Sequence, residues 1–308
     1  MDDKTRMPLQ PLTSIDSLRS GDVLLLRGRS ELSALIAWTC NDIYSHAAIV
    51  TDDGGLMESV TRGIVRGEVH EKVAATDRYY LVDAFRPVSP EEVPLAREDR
   101  DRVIAHGESL LGLPYATNEL AVVGVIVALR NRVFEDLPTW LRGVLRVAFD
   151  MLLSDDAQQM VCSEYVYRCF AECDAEPVGR LAPRIVVAPP PDTSQPWDVD
   201  VPKLIEEIRA LLGPRKALAN AVFPPEGALQ VGEARGGLDA ASLEASARAV
   251  RERLGAPEPV PEGLLAVGDA VLPVRVVNPK GVSPGDLSRS PSHQPLGRLM
   301  QAEDWSGA

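Results

Sequence analysis

The sequence has few of the residues on which disulfide scaffolds, zinc sites and nucleic-acid binders depend. It contains only four cysteines in 308 residues, and none shows the C-x2-C spacing of a structural zinc site. Basic residues are also scarce, with 32 Lys and Arg against 45 Asp and Glu, so the formal net charge is −13. The basic footprint of a nucleic-acid binder is therefore missing, and electrostatic docking on anionic lipid is disfavoured.

Long apolar runs are missing as well. No stretch reaches the ~18 consecutive apolar residues that a membrane span needs. The acidic opening MDDKTRMPLQPL does not resemble a secretory signal. We therefore expect a cytoplasmic protein with reduced thiols. The content of 45% hydrophobic and 25% charged residues is typical of a globular chain.

The proline content divides the chain into two parts. Residues 1–182 contain eight of the 25 prolines, whereas residues 183–308 contain 17. The first part is typical of a packed domain, and the second is typical of loops, linkers and short elements. We therefore predict a tail over residues 1–14, a packed domain over 15–184, a proline-rich insertion or appendage with short helices over 185–280, and a closing segment with a C-terminal tail over 281–308.

Hydrophobic periodicity and turn signals predict a strand, a helix, several antiparallel strands and then helices. The helix 119–130 is apolar almost all round, which favours burial in the core, with a lipid-facing hairpin as the alternative. The predicted strands are 22–27, 46–51, 56–60, 64–69 and 79–85. The predicted helices are 30–39, 91–111, 119–130, 139–153 and 161–173, followed by helices over 201–212 and 239–254 and one or two strands within 264–277.

Cys162 is the candidate nucleophile among the four cysteines. It stands at the start of the last predicted helix of the packed domain, where free backbone N–H groups and the helix dipole favour a thiolate. Cys169 and Cys173 fall on the apolar face of the same helix, so we expect them to be small buried side chains. Cys40, at the end of an earlier helix, is expected to be structural as well.

A thiolate nucleophile works with an imidazole that stabilises the ion pair and later protonates the leaving amine. His46 is the candidate because it opens an apolar strand, where a polar ring is a local inconsistency of the kind found at functional sites. Glu58 lies on the next predicted strand, across an Asp-Asp-Gly-Gly turn, so strand pairing could bring its carboxylate to the imidazole. Polar or charged sequence neighbours indicate no role for the other histidines, His70, His106 and His293.

Several short segments follow the pattern of one known family. They are Gly21-Asp22-Val23-Leu24, Tyr44-Ser45-His46-Ala47-Ala48-Ile49-Val50 and Val161-Cys162-Ser163-Glu164-Tyr165-Val166, with weaker similarity at Gly112-Leu113-Pro114-Tyr115 and Ser283-Pro284-Gly285-Asp286-Leu287. Together they resemble the permuted papain-like amidases, the YiiX/YaeF-like branch of the NlpC superfamily. In that branch a histidine on a strand comes first, an acidic residue follows on the next strand, and the cysteine comes last on a helix. The resemblance covers residues 15–175 and 280–300, whereas residues 185–280 do not match the family.

The resemblance implies an α+β, papain-like, circularly permuted fold in which an antiparallel sheet packs against the nucleophile helix. It implies Cys162 as the nucleophile, His46 as its acid–base partner and Glu58 as the residue that orients His46. The oxyanion would be bound by the backbone N–H of Cys162 and a nearby donor, for which Tyr44 is the candidate and Tyr115 a second one near the pocket. Such a reaction needs no metal or organic cofactor.

The predicted function is hydrolysis of an amide bond in a small peptide or cell-wall-type fragment, through an acyl-enzyme. Two alternatives stay open. Lipid acyl transfer or thioester hydrolysis would use the same residues and is favoured by the apolar stretch 119–153. The other alternative is a non-catalytic interaction module, with residues 185–280 as its binding part. The expected partner is a small amide or peptide, with no nucleic acid, and membrane contact is the less favoured outcome.

Overall fold

A six-stranded antiparallel sheet organises the computed structural model. The structure describes residues 12–60, 62–113, 119–129, 137–154, 161–186, 199–212, 239–256 and 277–305. The strands are β1 (Val23–Gly28), β2 (His46–Val50), β3 (Gly55–Val60), β4 (Gly63–Glu68), β5 (Tyr79–Pro87) and β6 (His293–Gln301). Their order across the sheet is β4–β3–β2–β1–β5–β6, and each neighbouring pair is antiparallel.

Nine α-helices lie within the described residues, and with the sheet they give an α+β fold, as predicted. The helices are α1 (Glu31–Thr39), α2 (Val69–Ala74), α3 (Arg97–Ser109), α4 (Glu119–Leu129), α5 (Thr139–Ser154), α6 (Cys162–Ala171), α7 (Val201–Leu212), α8 (Ala240–Arg253) and α9 (Pro284–Arg289). Most of these bounds lie within one or two residues of the sequence prediction; the exceptions are α3, which starts later than predicted, and α2 and α9, which were not predicted.

The sheet buries apolar side chains on both faces, because successive residues of a strand point to opposite sides. On one face, Leu25 and Ile49 pack with residues of α3 and α6, including Val103 and Val166. The other face packs with α2 through residues that include Leu24, Leu26, Ala48, Leu56 and Val69. Helix α6, which carries Cys162, therefore lies against the sheet.

A separate apolar core joins the remaining helices. The predicted burial of the apolar stretch is confirmed, since Val123 in α4 and Leu141 and Val144 in α5 are all buried. Helices α7 and α8 insert Leu204 and Val250 into the same core, which also contains residues of α1. The two helices from the predicted appendage thus form part of the packed interior. The stiff linker expected after residue 183 and the strands expected within 264–277 lie mostly outside the described residues.

The main differences from the sequence prediction are the late start of one helix and three elements that were not predicted, among them the short helix α9. The helix predicted over 91–111 begins only at Arg97, because Pro94 disfavours helical geometry at the residue before it and instead forms an isolated bridge with Val88. The short helix α2 was not predicted. Strand β6 was not predicted either, because Pro295 interrupts its pattern; β6 tolerates this proline as the edge strand of the sheet.

The closing segment completes the domain from the far end of the chain. Strand β6 pairs with β5. Before it, Val282 and Leu287 are buried in the core that contains α6, and Ser163 Oγ donates to the Val282 carbonyl at 2.7 Å. The first turn of the Cys162 helix is therefore held by residues more than a hundred positions later in the sequence.

Candidate active site

The β2–β3 hairpin brings His46 and Glu58 together. The Asp-Asp-Gly-Gly turn predicted from the sequence lies between the two strands, and Gly54 adopts φ +78°, which favours glycine. Glu58 is directly opposite Ala48, so strand alternation puts Glu58, Ala48 and His46 on one face of the sheet. His46 Nε2 lies 2.7 Å from Glu58 Oε2. Strand pairing thus fixes the orientation of the imidazole.

Cys162 belongs to helix α6, which packs on the face of the sheet opposite to Glu58, and it lies close to the His46 ring at the first residue of β2. It is the first residue of the helix, after Val161 in extended geometry, as the sequence predicts. Its side chain is buried and lies close enough to the His46 ring for its charge and hydrogen bonding to act on the pKa of the imidazole. The thiol, the imidazole and the carboxylate are therefore neighbours in the structure.

The electrostatics of the pair favour a charged imidazole. Burial opposes that charge, but the negative charge of Cys162 and the carboxylate of Glu58 outweigh it and raise the pKa of His46 well above its usual value. For Glu58, burial is likewise outweighed, here by the hydrogen bond and charge of His46 and by Lys72, and the pKa falls to about 2. The site therefore favours an imidazolium at His46 beside an ionised Glu58 carboxylate.

Lys72 is a member of this cluster that sequence reasoning missed. Its Nζ lies 2.6 Å from Glu58 Oε1, and it donates to Tyr79 Oη at 3.2 Å. Burial opposes its charge, but Glu58 and Tyr79 raise the pKa of Lys72 above its usual value. The only sequence signal was a lysine beside Val69 and Val73 in a stretch too short to suggest a helix.

The other cysteines occupy different environments. Cys40, Cys169 and Cys173 are all buried among apolar residues, as expected. Burial raises the pKa of Cys169 to about 12, and it also raises the pKa of Cys173. In neither of these two cases is a histidine among the causes of the shift. Burial is thus the main cause that disfavours the thiolate at Cys169, whereas Cys162 lies beside an imidazole.

Helix α6 is fixed close to the sheet by a glycine on α3. A Cβ at Gly107 would lie only 2.9 Å from the Met57 methyl, 3.0 Å from Tyr165 Oη and 3.1 Å from Cys169 Sγ. Tyr165 Oη instead donates to the Gly107 carbonyl at 3.2 Å. This close approach between α3, α6 and β3 fixes the distance between the Cys162 helix and β3, the strand that carries Glu58.

The two tyrosines proposed as oxyanion donors have different outcomes. Tyr44 is fully buried, and its hydroxyl donates to Asp83 Oδ2 at 2.6 Å, while Asp83 also receives two bonds from Arg298. The only proton of the Tyr44 hydroxyl is therefore directed at Asp83. Tyr44 could donate to an oxyanion only after breaking its bond to Asp83, so this role stays a prediction. Tyr115 lies outside the described residues, so its role stays a prediction too.

Of the remaining histidines, His293 differs most from its sequence context. It is 5% exposed, although its sequence neighbours are polar, because β6 carries it into the interior beside Phe170. Its Nδ1 donates to the Leu287 carbonyl at 2.6 Å. His70 is largely exposed and His106 is partly buried.

Comparisons with known proteins give a distant structural likeness. No family model matches the chain, and no curated protein matches it. A solved structure of metalloprotein yiiX from Escherichia coli O157:H7 is similar over 65% of this chain and 85% of that chain, with a TM-score of 0.36 and 14% sequence identity. At this level the likeness carries no argument, and the fold rests on the sheet topology described above.

Two features are absent from the residues that the structure describes. Among those residues, no group of three or more His, Cys, Asp or Glu side chains is arranged to hold a metal ion. The same ranges contain no helix with both the length and the apolar character that crossing a membrane requires. The word metalloprotein belongs to the name of the structural neighbour and is said of that protein.

Proposed function

We propose that the protein is a cysteine-dependent hydrolase of the permuted papain-like type, which cleaves an amide bond in a small peptide or cell-wall-type fragment. The observation that carries the proposal is that the buried Cys162 side chain lies beside an imidazole whose Nε2 is held 2.7 Å from Glu58. The order of these residues along the chain, histidine, acid and cysteine, agrees with the permuted arrangement that the sequence resemblance implies.

The chemistry follows from the roles of the three side chains. The Cys162 thiolate attacks the carbonyl carbon, and the carbon–sulfur bond forms as the carbonyl oxygen takes the negative charge. The His46 imidazolium gives its proton to the amide nitrogen, the carbon–nitrogen bond breaks, and the amine leaves. Neutral His46 then takes a proton from water, whose oxygen attacks the thioester, and the acid product and the thiol are released. Glu58 keeps the imidazole oriented through both steps.

The start of α6 supplies the main oxyanion donor in this proposal. The backbone N–H of Cys162 belongs to the first turn of the helix, whose N–H groups have no partner within the helix. Developing negative charge at this position is also favoured by the helix dipole. Tyr44 and Tyr115 remain the proposed second donors.

Lipid acyl transfer, the first alternative, is weakened by the packing of α4 and α5. The apolar residues that favoured it, including Leu141 and Val144, are buried in the protein core, and Trp140 packs against the same core. An interaction module without catalysis is also less favoured. Burying ionisable groups such as this thiol, imidazole and carboxylate costs free energy, and a binding domain would gain no function from it. Amide hydrolysis therefore stands first.

Labelling with a thiol-directed probe, followed by peptide mapping, tests the proposal. We expect the probe to modify Cys162 first, and we expect a screen of peptide amides and acyl esters to yield an activity that Cys162→Ser abolishes. Cys40→Ser is the matched control, because Cys40 is equally buried but lies in the helical core. Equal labelling of both cysteines in the native protein, or activity that survives in Cys162→Ser, would overturn the proposal.

A further inference from the structure

The carboxylate of Glu58 is shared between two partners on opposite sides. Its Oε2 is 2.7 Å from His46 Nε2, and its Oε1 is 2.6 Å from Lys72 Nζ. Both carboxylate oxygens are thus engaged by groups that can carry positive charge. The Glu58 side chain is 5% exposed and that of Lys72 is 12% exposed, so water contributes little to either charge.

Lys72 is itself fixed by its neighbours. Helix α2 follows β4 directly, and its Val69 and Val73 pack on the face of the sheet that carries Leu24 and Leu26. The Val69 N–H donates to the Gly54 carbonyl in the β2–β3 turn, which ties the helix to the hairpin of the site. Tyr79 on β5 accepts from Lys72 Nζ, and the ammonium lies 5.4 Å from the centre of the same ring. An exposed lysine would show none of these constraints.

We infer that Lys72 is a positioning residue of the proposed active site, which holds Glu58 ionised and aligned so that Glu58 can orient His46. This inference rests on the proposed function. The site then contains four groups in line, thiol, imidazole, carboxylate and ammonium, whose charges sum to zero in the ion-pair state. Without Lys72, the same buried site would carry a net negative charge, which burial disfavours.

The position of Lys72 predicts its effect on pH dependence. The groups that face Glu58 in the structure are His46 from β2 and Lys72 from α2, with Tyr79 from β5 behind the lysine. A nearby cation favours the deprotonated form of every group around it. Loss of the Lys72 charge should therefore move both limbs of a plot of Cys162 alkylation rate against pH, that is, both pH ranges in which the rate changes, to higher pH. General damage to the fold would instead lower the rate at every pH without moving these ranges.

Alkylation by iodoacetamide, followed by peptide mapping of Cys162, tests this on the intact protein without a known substrate. In Lys72→Met we expect both limbs to move upward by on the order of one pH unit and the rate at neutral pH to fall about tenfold, the cost of one charge-assisted hydrogen bond. Lys72→Arg, which keeps the charge, should restore most of the rate and both limbs. Lys203→Met is the matched control, because Lys203 pairs with Glu31 near the start of α1.

The outcomes separate this inference from the proposed function. If His46→Ala and Glu58→Gln change the profile but Lys72→Met leaves it in place, the inference on Lys72 is overturned and the proposed function stands. If His46→Ala has no effect on Cys162 alkylation, the proposed function is overturned and this inference with it. Should Lys72→Met fail to fold in a thermal melt, Lys72→Gln, which retains a polar donor without the charge, provides the same pH test.

Discussion

The β2–β3 and β5–β6 strand pairs both bury charged or ionisable side chains, but they neutralise them differently. At β2–β3, Glu58 bonds His46, whose imidazole can both donate and accept a proton. At β5–β6, Asp83 accepts two bonds from Arg298, at 2.8 and 2.9 Å, and arginine stays charged at every relevant pH. The first arrangement can take part in proton transfer, whereas the second holds two strands together.

The histidines of the two regions sharpen the contrast. Burial acts on both, but His46 has acidic partners that raise its pKa well above the usual value. His293 has only the Leu287 carbonyl, and burial lowers its pKa to about 4. Among the described residues its Nε2 has no hydrogen-bond partner. The partners of a buried histidine, more than its burial, therefore decide whether it carries charge.

Removing Asp83 should have the largest effect on stability. Asp83→Asn leaves Arg298 buried without its counter-charge, and breaking a buried pair in this way costs roughly 3–5 kcal/mol of unfolding free energy. Urea denaturation measures the loss. The rate of Cys162 alkylation in the folded fraction should stay at the wild-type value. A parallel fall in that rate would mean that the β5–β6 pair belongs to the site.

Acid should destabilise the protein through His293. Between pH 6.5 and the folded-state pKa of about 4, the unfolded chain binds a proton at this position that the folded chain does not. The free energy of unfolding should therefore fall as the pH drops through this window, by roughly 3 kcal/mol in all. His293→Gln, which does not titrate, should flatten this part of the pH–stability curve. A curve that keeps its slope in the variant would assign the acid sensitivity to other groups.

Glu58→Gln should mainly affect the reactivity of Cys162, whereas Asp83→Asn should mainly affect stability. Glutamine keeps the size of the side chain but loses the charge that pairs with His46, so the rate of Cys162 alkylation at neutral pH should fall about tenfold. The loss of unfolding free energy should be smaller than in Asp83→Asn, because Lys72 retains Tyr79 as a partner. Measurement of both quantities in both variants tests the comparison. A stability loss in Glu58→Gln with an unchanged alkylation rate would contradict it.

The sequence predicted the site where local patterns determine the structure. Glu58 could be placed near His46 because a four-residue turn between two apolar runs fixes a hairpin, and the observed pairing of Ala48 with Glu58 has the required parity. Cys162 could be placed at a helix start because the pattern after it is helical. Both signals act over a few residues, so they can be interpreted without knowledge of the fold.

The contacts that sequence analysis missed are those that join distant elements. Lys72 lies on a six-residue helix with no side-chain cap, which has no sequence signature. Arg298 meets Asp83 across 215 positions, on a strand whose pattern Pro295 interrupts. Tyr44, just before β2, bonds to Asp83 on β5 although β1 lies between these two strands in the sheet. No local rule predicts which buried carboxylate receives which cation.

The central claim is that His46 activates Cys162, and the alkylation rate of Cys162 in His46→Ala tests it most directly. Iodoacetamide at neutral pH, with peptide mapping of all four cysteines, gives the rate at each thiol in one experiment. The account predicts that Cys162 reacts fastest in the wild-type protein and that the substitution removes this advantage. An equally fast Cys162 in His46→Ala, in a protein that remains folded, would contradict it.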